Sequence, residues 1–207
     1  MRVAISGTSG IGKTTLARHL ATQMALPLLP EQLAPLLRIT TALASTTRES
    51  PRRPELQQSW RRQALLWLQR RDQAAKIHPA FVADRCGFDI LSRWLLLDLA
   101  YQQPQQLQRL IQTCQQQSAD LDLIVVPPIS SWSLQPSRNE EGLERDPDLG
   151  RKLHTHALLI GLLQQYSRCP VRLLPSSCPS TEARAEMVLR WLRDRPVPPA
   201  PLEPTSP

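Results

Sequence analysis

Residues 7–14, which read GTSGIGKT, constrain the fold of this chain more than any other segment. They contain three of the seven glycines of the protein, and a lysine and a threonine follow the last glycine. A short apolar segment, residues 2–6, precedes them, and a helical pattern begins at Lys13. Glycines between a strand and a helix let backbone N–H groups converge on an anion, and the positive end of the helix adds to the attraction. The segment therefore predicts a loop that binds the phosphates of a nucleoside triphosphate.

Each residue of this loop has an expected role. The backbone of residues 7–12 should surround phosphate oxygens, and Lys13 should neutralise charge on the β- and γ-phosphates. The hydroxyl of Thr14 is typical of a Mg²⁺ ligand at this position. The predicted cofactors are therefore ATP and Mg²⁺, and the predicted nucleotide-binding residues in this segment are Gly7, Thr8, Ser9, Gly10, Ile11, Gly12, Lys13, Thr14 and Thr15.

The rest of the chain alternates between short apolar segments and helical patterns. The predicted strands are residues 2–6, 27–30, 81–83, 123–126 and 171–174, and the predicted helices are residues 13–25, 55–78, 88–101, 104–117, 146–166 and 180–193. Residues 40–54 and 130–145 are interpreted as loops, the first of them mobile. This alternation predicts an α/β fold of three layers with a five-stranded parallel sheet. It predicts one domain, residues 1–195, and a disordered proline-rich tail, residues 196–207.

Carboxylates follow two of the predicted strands. Asp84 comes directly after the third strand, beside Arg85, and Glu31 follows the second strand. The carboxyl ends of parallel strands meet at one edge of a sheet, so these side chains are expected near the phosphate loop. Asp84 is a candidate for holding Mg²⁺ or orienting an acceptor hydroxyl, Arg85 for binding a phosphate or the substrate, and Glu31 for accepting a proton or hydrogen bond from that hydroxyl. The alternatives are a helix N-cap for Asp84 and a solvent-exposed loop position for Glu31.

The charge balance bears on possible macromolecular partners. The protein has 25 Lys and Arg residues against 18 Asp and Glu residues, a formal charge of +7. The cations are spread along the chain, and Arg61, Arg62, Arg70 and Arg71 are interpreted as a solvated helix face. With five Trp, two Tyr and two Phe, the sequence suggests no stacking platform for bases. Nucleic-acid binding is therefore the least favoured function.

Other classes are excluded by what the sequence lacks. No apolar segment approaches the length of a membrane span, and the first residues do not resemble a signal peptide, so we expect a cytoplasmic protein with no membrane partner. The cysteines show no metal-ligand spacing and are expected as reduced, partly buried thiols: Cys86, Cys114, Cys169 and Cys178. The N-K-x-D sequence of Ras-type GTPases is absent, as is the strand ending in Asp-Glu of helicases and classical AAA+ proteins.

Four segments, in this order, resemble the NadR-like AAA domain family of P-loop kinases: SGTSGIGKTTLARHL, LLPEQ, FVADRCGFDIL and DLDLIVVPP. The resemblance covers about residues 1–175, and its most specific part is the phosphate loop. It implies the strand order 2-3-1-4-5 and ATP-dependent transfer to a small molecule. It also implies a lid with basic residues after the fourth strand, where Arg145 and Arg151 stand. The alternative for these two arginines is a surface ion-pair cluster with Glu144, Asp146 and Asp148.

The sequence thus predicts a phosphotransferase that moves the γ-phosphate of Mg-ATP to a nucleoside-, nucleotide- or vitamin-like acceptor. The predicted catalytic residues are Lys13, Asp84, Glu31, Arg145 and Arg151, with Thr14 and Asp84 as metal ligands and Arg85 as a further nucleotide contact. The alternative is a regulatory ATPase or nucleotide-binding switch that acts on a protein partner. The sequence does not predict the oligomeric state.

Overall fold

The computed structural model describes residues 1–47, 50–97, 104–129, 142 and 148–194. These residues contain one sheet of five strands: β1 (Arg2–Ile5), β2 (Leu28–Leu29), β3 (Phe81–Asp84), β4 (Leu123–Val126) and β5 (Val171–Leu173). The strand order is β2-β3-β1-β4-β5, and every neighbouring pair is parallel. The predicted parallel sheet and its order 2-3-1-4-5 are confirmed.

Helices cover both faces of the sheet. They are α1 (Lys13–Gln23), α2 (Ala34–Ala44), α3 (Arg53–Ile77), α4 (Gly87–Leu96), α5 (Pro104–Ala119), α6 (Leu149–Tyr166) and α7 (Thr181–Arg193). Alternate residues of the central strands supply two separate cores, as expected for a sheet that is buried on both faces. One core joins Val3, Ile5 and Val125 to α1 and α7, and the other joins Ala4, Ala83 and Ile124 to helices on the opposite face. The predicted three-layer α/β fold is therefore confirmed.

Helix α2 is the main feature that the sequence did not predict. Residues 40–54 were expected to form a mobile loop, but Thr40–Ala44 belong to α2 and Arg53 already begins α3. Threonine has low helix propensity, which made the segment resemble a loop. In the structure Leu36 and Leu43 are buried in the core, and the hydroxyl of Thr40 donates to the Leu36 carbonyl at 2.8 Å. Packing and this side-chain hydrogen bond thus outweigh the local preference.

Two predicted helix boundaries are also wrong. Helix α4 ends at Leu96 rather than at residue 101. Helix α6 begins at Leu149 and is capped by Asp148, whose side chain accepts a hydrogen bond from the Arg151 amide, rather than by Asp146. An aspartate at either position fits a helix start, so the pattern alone did not fix the cap. Arg145, the predicted loop 130–145 apart from Gly142, and the predicted tail 196–207 lie outside the described residues.

The remaining expectations concern cysteines, metals and membranes. All four cysteines are free and buried. Within the described residues there is no group of three or more His, Cys, Asp or Glu side chains that could hold a metal ion. A search of those same residues finds no helix with the length and apolar character needed to cross a membrane.

Candidate active site

The predicted phosphate loop connects β1 to α1 at the carboxyl edge of the sheet. Gly7, Gly10 and Gly12 have φ angles of 144°, 83° and 85°, which residues with a side chain rarely adopt. A Cβ atom on Gly7 would lie 2.4 Å from Cδ1 of Ile11, so the loop also leaves no room for a side chain there. The glycine spacing of the sequence is thus required by the backbone path of the loop.

The end of the loop leaves the N-terminus of α1 open to an anion. Gly12 is the N-cap residue, and no side chain caps the helix. The first-turn amides and the positive end of the helix dipole are therefore available to a phosphate. Lys13 is buried, and its Nζ donates to the Thr8 carbonyl at 2.7 Å. Burial and the nearby guanidinium of Arg85 lower the pKa of Lys13 to about 8. A bound phosphate would compensate this buried positive charge.

Thr14 and Asp84 form a pair of oxygen ligands beside the loop. The Thr14 hydroxyl donates to Oδ2 of Asp84 at 2.5 Å, which joins the first turn of α1 to the end of β3. Oδ1 of Asp84 is buried and has no hydrogen-bond partner among the described residues. Burial raises the pKa of this carboxyl group, and the nearby charges of Lys13 and Arg85 offset only part of that rise. One hydroxyl and one carboxylate with an unused buried oxygen fit Mg²⁺, which prefers few protein ligands together with phosphates and water.

Arg85 connects Glu31 to the phosphate loop. Its Nε donates to Oε1 of Glu31 at 2.5 Å, and its Nη1 donates to the Gly7 carbonyl at 2.9 Å and to Oδ1 of Asp89 at 2.8 Å. Burial acts to raise the pKa of Glu31, but the charges of Arg85 and Lys13 lower it to about 2. Glu31 is therefore ionised and fixed in place at neutral pH. The alternative of a freely exposed loop glutamate does not describe this geometry, because Glu31 is only 25% exposed and ion-paired.

Asp89 is a central residue of this network that the sequence analysis missed. Besides Arg85, it accepts hydrogen bonds from the Ser6 hydroxyl at 2.7 Å, the Gly7 amide at 3.2 Å and the Cys86 amide at 3.0 Å. It thereby fixes the start of the phosphate loop to the N-terminus of α4. Cys86, not Asp84, is the N-cap residue of α4. The i, i+4 spacing from Arg85 to Asp89 was the one sequence signal that could have revealed this pair.

Arg71 of α3 was also misread, because it was expected on a solvated helix face. Its guanidinium donates to the carbonyls of Leu29 at 3.0 Å and Asp84 at 2.8 Å, and it lies 4.7 Å from the ring centroid of Trp67. Trp67 in turn donates from Nε1 to the Glu31 carbonyl at 2.6 Å. Arg71 and Trp67 thus hold together the carboxyl ends of β2 and β3, which carry Glu31 and Asp84.

A cleft of about 330 Å³ opens over the tip of the phosphate loop. We call it the basic cleft, and its walls are Thr8 and Ser9 of the loop, Thr40 of α2, Arg93 of α4, and Arg151 and Lys152 of α6, with five further residues. The side chain of Arg151, a predicted lid residue, is 68% exposed, and its Nε lies 3.4 Å from Oδ2 of Asp148. The structure therefore places it both at the cleft and in one of the expected ion pairs. Thr15 is exposed on α1.

A family model described as an AAA domain matches residues 2–180. The chain belongs to this AAA domain family. A search of curated protein sequences gives no match for this AAA domain protein. The predicted membership of an AAA domain family is confirmed.

Solved structures show which fold this AAA domain protein has. It is similar to deoxyadenosine kinase from M. mycoides with dCMP and dCDP bound (TM-score 0.63, 14% identity, 94% of this chain and 100% of that chain). It is also similar to the NadR protein in complex with NAD and AMP-PNP (TM-score 0.60, 16% identity, 95% of this chain and 50% of that chain). A third is thymidylate kinase from Candida albicans (TM-score 0.58, 12% identity, 93% and 90%). The chain therefore has the P-loop kinase fold.

Proposed function

We propose that this protein is an ATP-dependent kinase that transfers the γ-phosphate of Mg-ATP to a hydroxyl group of a small molecule. The observation that carries the proposal is the ion pair of Glu31 and Arg85, which places an ionised carboxylate at the edge of the sheet beside the phosphate loop. A loop that only bound ATP would not need this carboxylate. An acceptor hydroxyl does need a hydrogen-bond acceptor that orients its oxygen.

The phosphate side of the site is assigned to the loop and its neighbours. The amides at residues 7–12 and the ammonium of Lys13 would bind the triphosphate, and Thr14 and Asp84 would hold Mg²⁺. When bound there, Mg²⁺ supplies positive charge against the phosphate oxygens. The AMP-PNP of the NadR complex supports a nucleotide as the phosphate donor.

On the acceptor side, Glu31 would accept a hydrogen bond from the acceptor hydroxyl. The hydroxyl oxygen attacks the γ-phosphorus, the bond from that phosphorus to the oxygen of the β-phosphate breaks, ADP leaves, and the hydroxyl proton passes to water. With a pKa of about 2, Glu31 is a weak base, so its main contribution is to orient the hydroxyl rather than to remove its proton early. Arg85 holds Glu31 in this position.

An acceptor screen tests this function directly. ADP formation is measured with Mg-ATP alone and with nucleosides, nucleotides and vitamins that carry hydroxyl groups, and mass spectrometry detects the phosphorylated product. We expect slow ADP formation without an acceptor, and equal amounts of ADP and phosphorylated product with the correct one. The Lys13→Ala variant serves as the control for contaminating kinases. ADP formation that responds to a protein partner, with no compound phosphorylated, would instead identify a regulatory ATPase.

A further inference from the structure

The basic cleft has the size and position of a binding site for a small molecule. Its volume of about 330 Å³ lies within the range of roughly 300 to 1,000 Å³ that is common for ligand pockets. Thr8 and Ser9 at the tip of the phosphate loop form one side, and Thr40 of α2 forms another. A molecule in the cleft would therefore lie next to the phosphates held by the loop.

The charge of the cleft is positive. Three of its described lining residues carry a positive charge at neutral pH, and none of the described ones carries a negative charge: the cations are Arg93, Arg151 and Lys152. Lys152 is 3% exposed, so its positive charge has little contact with water. A low-dielectric wall with one sign of charge favours a ligand of the opposite sign.

Arg93 is the most informative of these cations. It extends from α4 and is partly buried, and in the part of the chain that the structure describes its guanidinium forms no hydrogen bond or ion pair. Asp89, four residues earlier on the same helix, is the natural partner, but its carboxylate is already bonded to Arg85. Glu31 is likewise paired with Arg85. A partly desolvated guanidinium with no bonded anion among the described residues is unfavourable, so the site fits a ligand that supplies one.

The position of Arg93 on α4 assigns it to the acceptor side of the site. Burial and the charge of Arg85 lower the pKa of Arg93 to about 10, and Glu31 and Asp89 act in the opposite direction. These are the groups of the acceptor side. Arg93 stands one turn after Asp89 on α4, and the carboxylate of Asp89 is bonded to Arg85, which is bonded in turn to Glu31. An anion on Arg93 would thus lie on the side of the site where Glu31 orients the acceptor.

The geometry points to an acceptor that carries an anionic group, a phosphate or a carboxylate, bound by Arg93 while a hydroxyl of the same molecule lies against Glu31. The inference rests on the proposed kinase function and specifies its substrate class: a phosphorylated or carboxylated hydroxy compound rather than a neutral one. Arg93 is in this case the residue that determines specificity. Glu31, held in place by Arg85, orients the hydroxyl of any acceptor.

The first test compares matched acceptors. Nucleosides are paired with their 5′-monophosphates, and polyols are paired with hydroxy acids of similar size. We expect turnover of the anionic member of a pair, and a rise of about 10- to 100-fold in its KM in Arg93→Met, the range for one lost hydrogen-bonded charge contact. The KM for ATP should stay unchanged, and Arg93→Lys should restore part of the affinity. Arg62→Met, which removes an exposed arginine of α3 outside the cleft, is the matched control.

The second test needs no turnover. Inorganic phosphate is titrated into protein saturated with Mg-AMP-PNP, so that the phosphate loop is already filled, and binding is measured by calorimetry. We expect wild type and Arg62→Met to bind phosphate alike and Arg93→Met to bind it at least about tenfold more weakly. Because the guanidinium of Arg93 forms no hydrogen bond or ion pair within the described residues, the melting temperature of Arg93→Met should stay close to that of wild type.

The outcomes separate the two proposals. If neutral compounds are phosphorylated and Arg93→Met treats them as wild type does, the kinase function stands and the anionic acceptor is wrong. If Arg93→Met raises the KM for ATP as much as that for the acceptor, Arg93 belongs to the donor site and the inference is again wrong. If no compound is phosphorylated, the kinase function fails, and the phosphate titration alone decides whether Arg93 binds an anion.

Discussion

The phosphate loop and the proposed acceptor side lie at the same edge of the sheet but are built in different ways. The loop is one continuous segment, residues 7–14, whose binding groups are mostly backbone amides and the open end of α1. The acceptor side consists of side chains from four elements or their ends: Arg71 of α3, Glu31 after β2, Arg85 after β3 and Asp89 of α4. Those side chains are bonded to one another and to backbone carbonyls.

This difference determines how each region responds to change. A site made of backbone groups depends on the glycines that permit its path and on a few side chains that act alone. In the acceptor side, Arg85 neutralises both Glu31 and Asp89, so its loss would leave two largely buried carboxylates without a cation. Removing one partner of such a pair costs about 3–5 kcal/mol. The loop should therefore tolerate substitutions of its functional side chains without unfolding, whereas the acceptor side should not tolerate loss of its central arginine.

The largest expected effect concerns Lys13. Lys13→Ala should reduce kcat by about a thousandfold, because it removes a charge that acts on the developing charge of the transferred phosphate. The melting temperature of Lys13→Ala should stay close to that of wild type. Lys13 makes one hydrogen bond, to the Thr8 carbonyl, and the burial of its positive charge destabilises the folded protein, so the two effects oppose each other. Steady-state kinetics and thermal unfolding check both parts. If Lys13→Ala unfolded, the loop would not tolerate loss of a functional side chain, and the expected difference between the two regions would be wrong.

Asp84 should give a smaller and more selective effect. Asp84→Asn keeps the size of the side chain but removes its negative charge, so we expect kcat to fall about a hundredfold while the Kd for nucleotide without metal changes little. The concentration of Mg²⁺ needed for half-maximal activity should rise. Titrations of metal and nucleotide measure these quantities separately. Equal losses of nucleotide binding and turnover would show that Asp84 supports the loop instead of the metal.

The smallest expected effect is a difference in pH response between the two regions. In the ligand-free protein, Lys13 has a pKa of about 8, below the ordinary value of 10.5. A bound triphosphate would raise the pKa of Lys13. Above pH 8 the ligand-free protein loses this proton and must regain it on binding, so the affinity for ATP should fall by up to about tenfold per pH unit. Glu31, with a pKa of about 2, and Arg85, whose pKa is raised, keep their charges throughout.

Calorimetric titrations of AMP-PNP between about pH 7 and pH 9.5 measure this slope. Lys13→Met, which has no ammonium group, should bind more weakly but with an affinity independent of pH in that range. His156 also interacts with Lys13, but its pKa is lowered by burial and by Lys13, so it is already neutral above pH 8. The same slope in Lys13→Met would assign the titration to another group.

The same contrast explains what the sequence revealed. The strands, the order of the sheet and the phosphate loop depend on local patterns and on a contiguous motif, so they were predicted from the residues and a family resemblance. Arg71 and Asp89 looked like ordinary helix-surface and first-turn residues, because their partners are distant in the chain: Arg71 bonds to Leu29, and Asp89 bonds to Ser6. Helix α2 was missed for a related reason, since Leu36 and Leu43 are buried in a core that only the complete fold creates.

The contact between Trp67 and Glu31 gives the protein an optical probe of its own. The indole N–H donates to the Glu31 carbonyl at 2.6 Å, and the ring stacks on Arg71. The emission of an indole changes with its hydrogen bond and with nearby charge, so a ligand that moves Glu31 should alter the fluorescence of Trp67. Trp60 and Trp94 are fully buried and pack edge to face at 5.9 Å, remote from solvent. Stopped-flow emission, with Trp67→Phe as the reference, would then follow acceptor arrival in real time without an added dye.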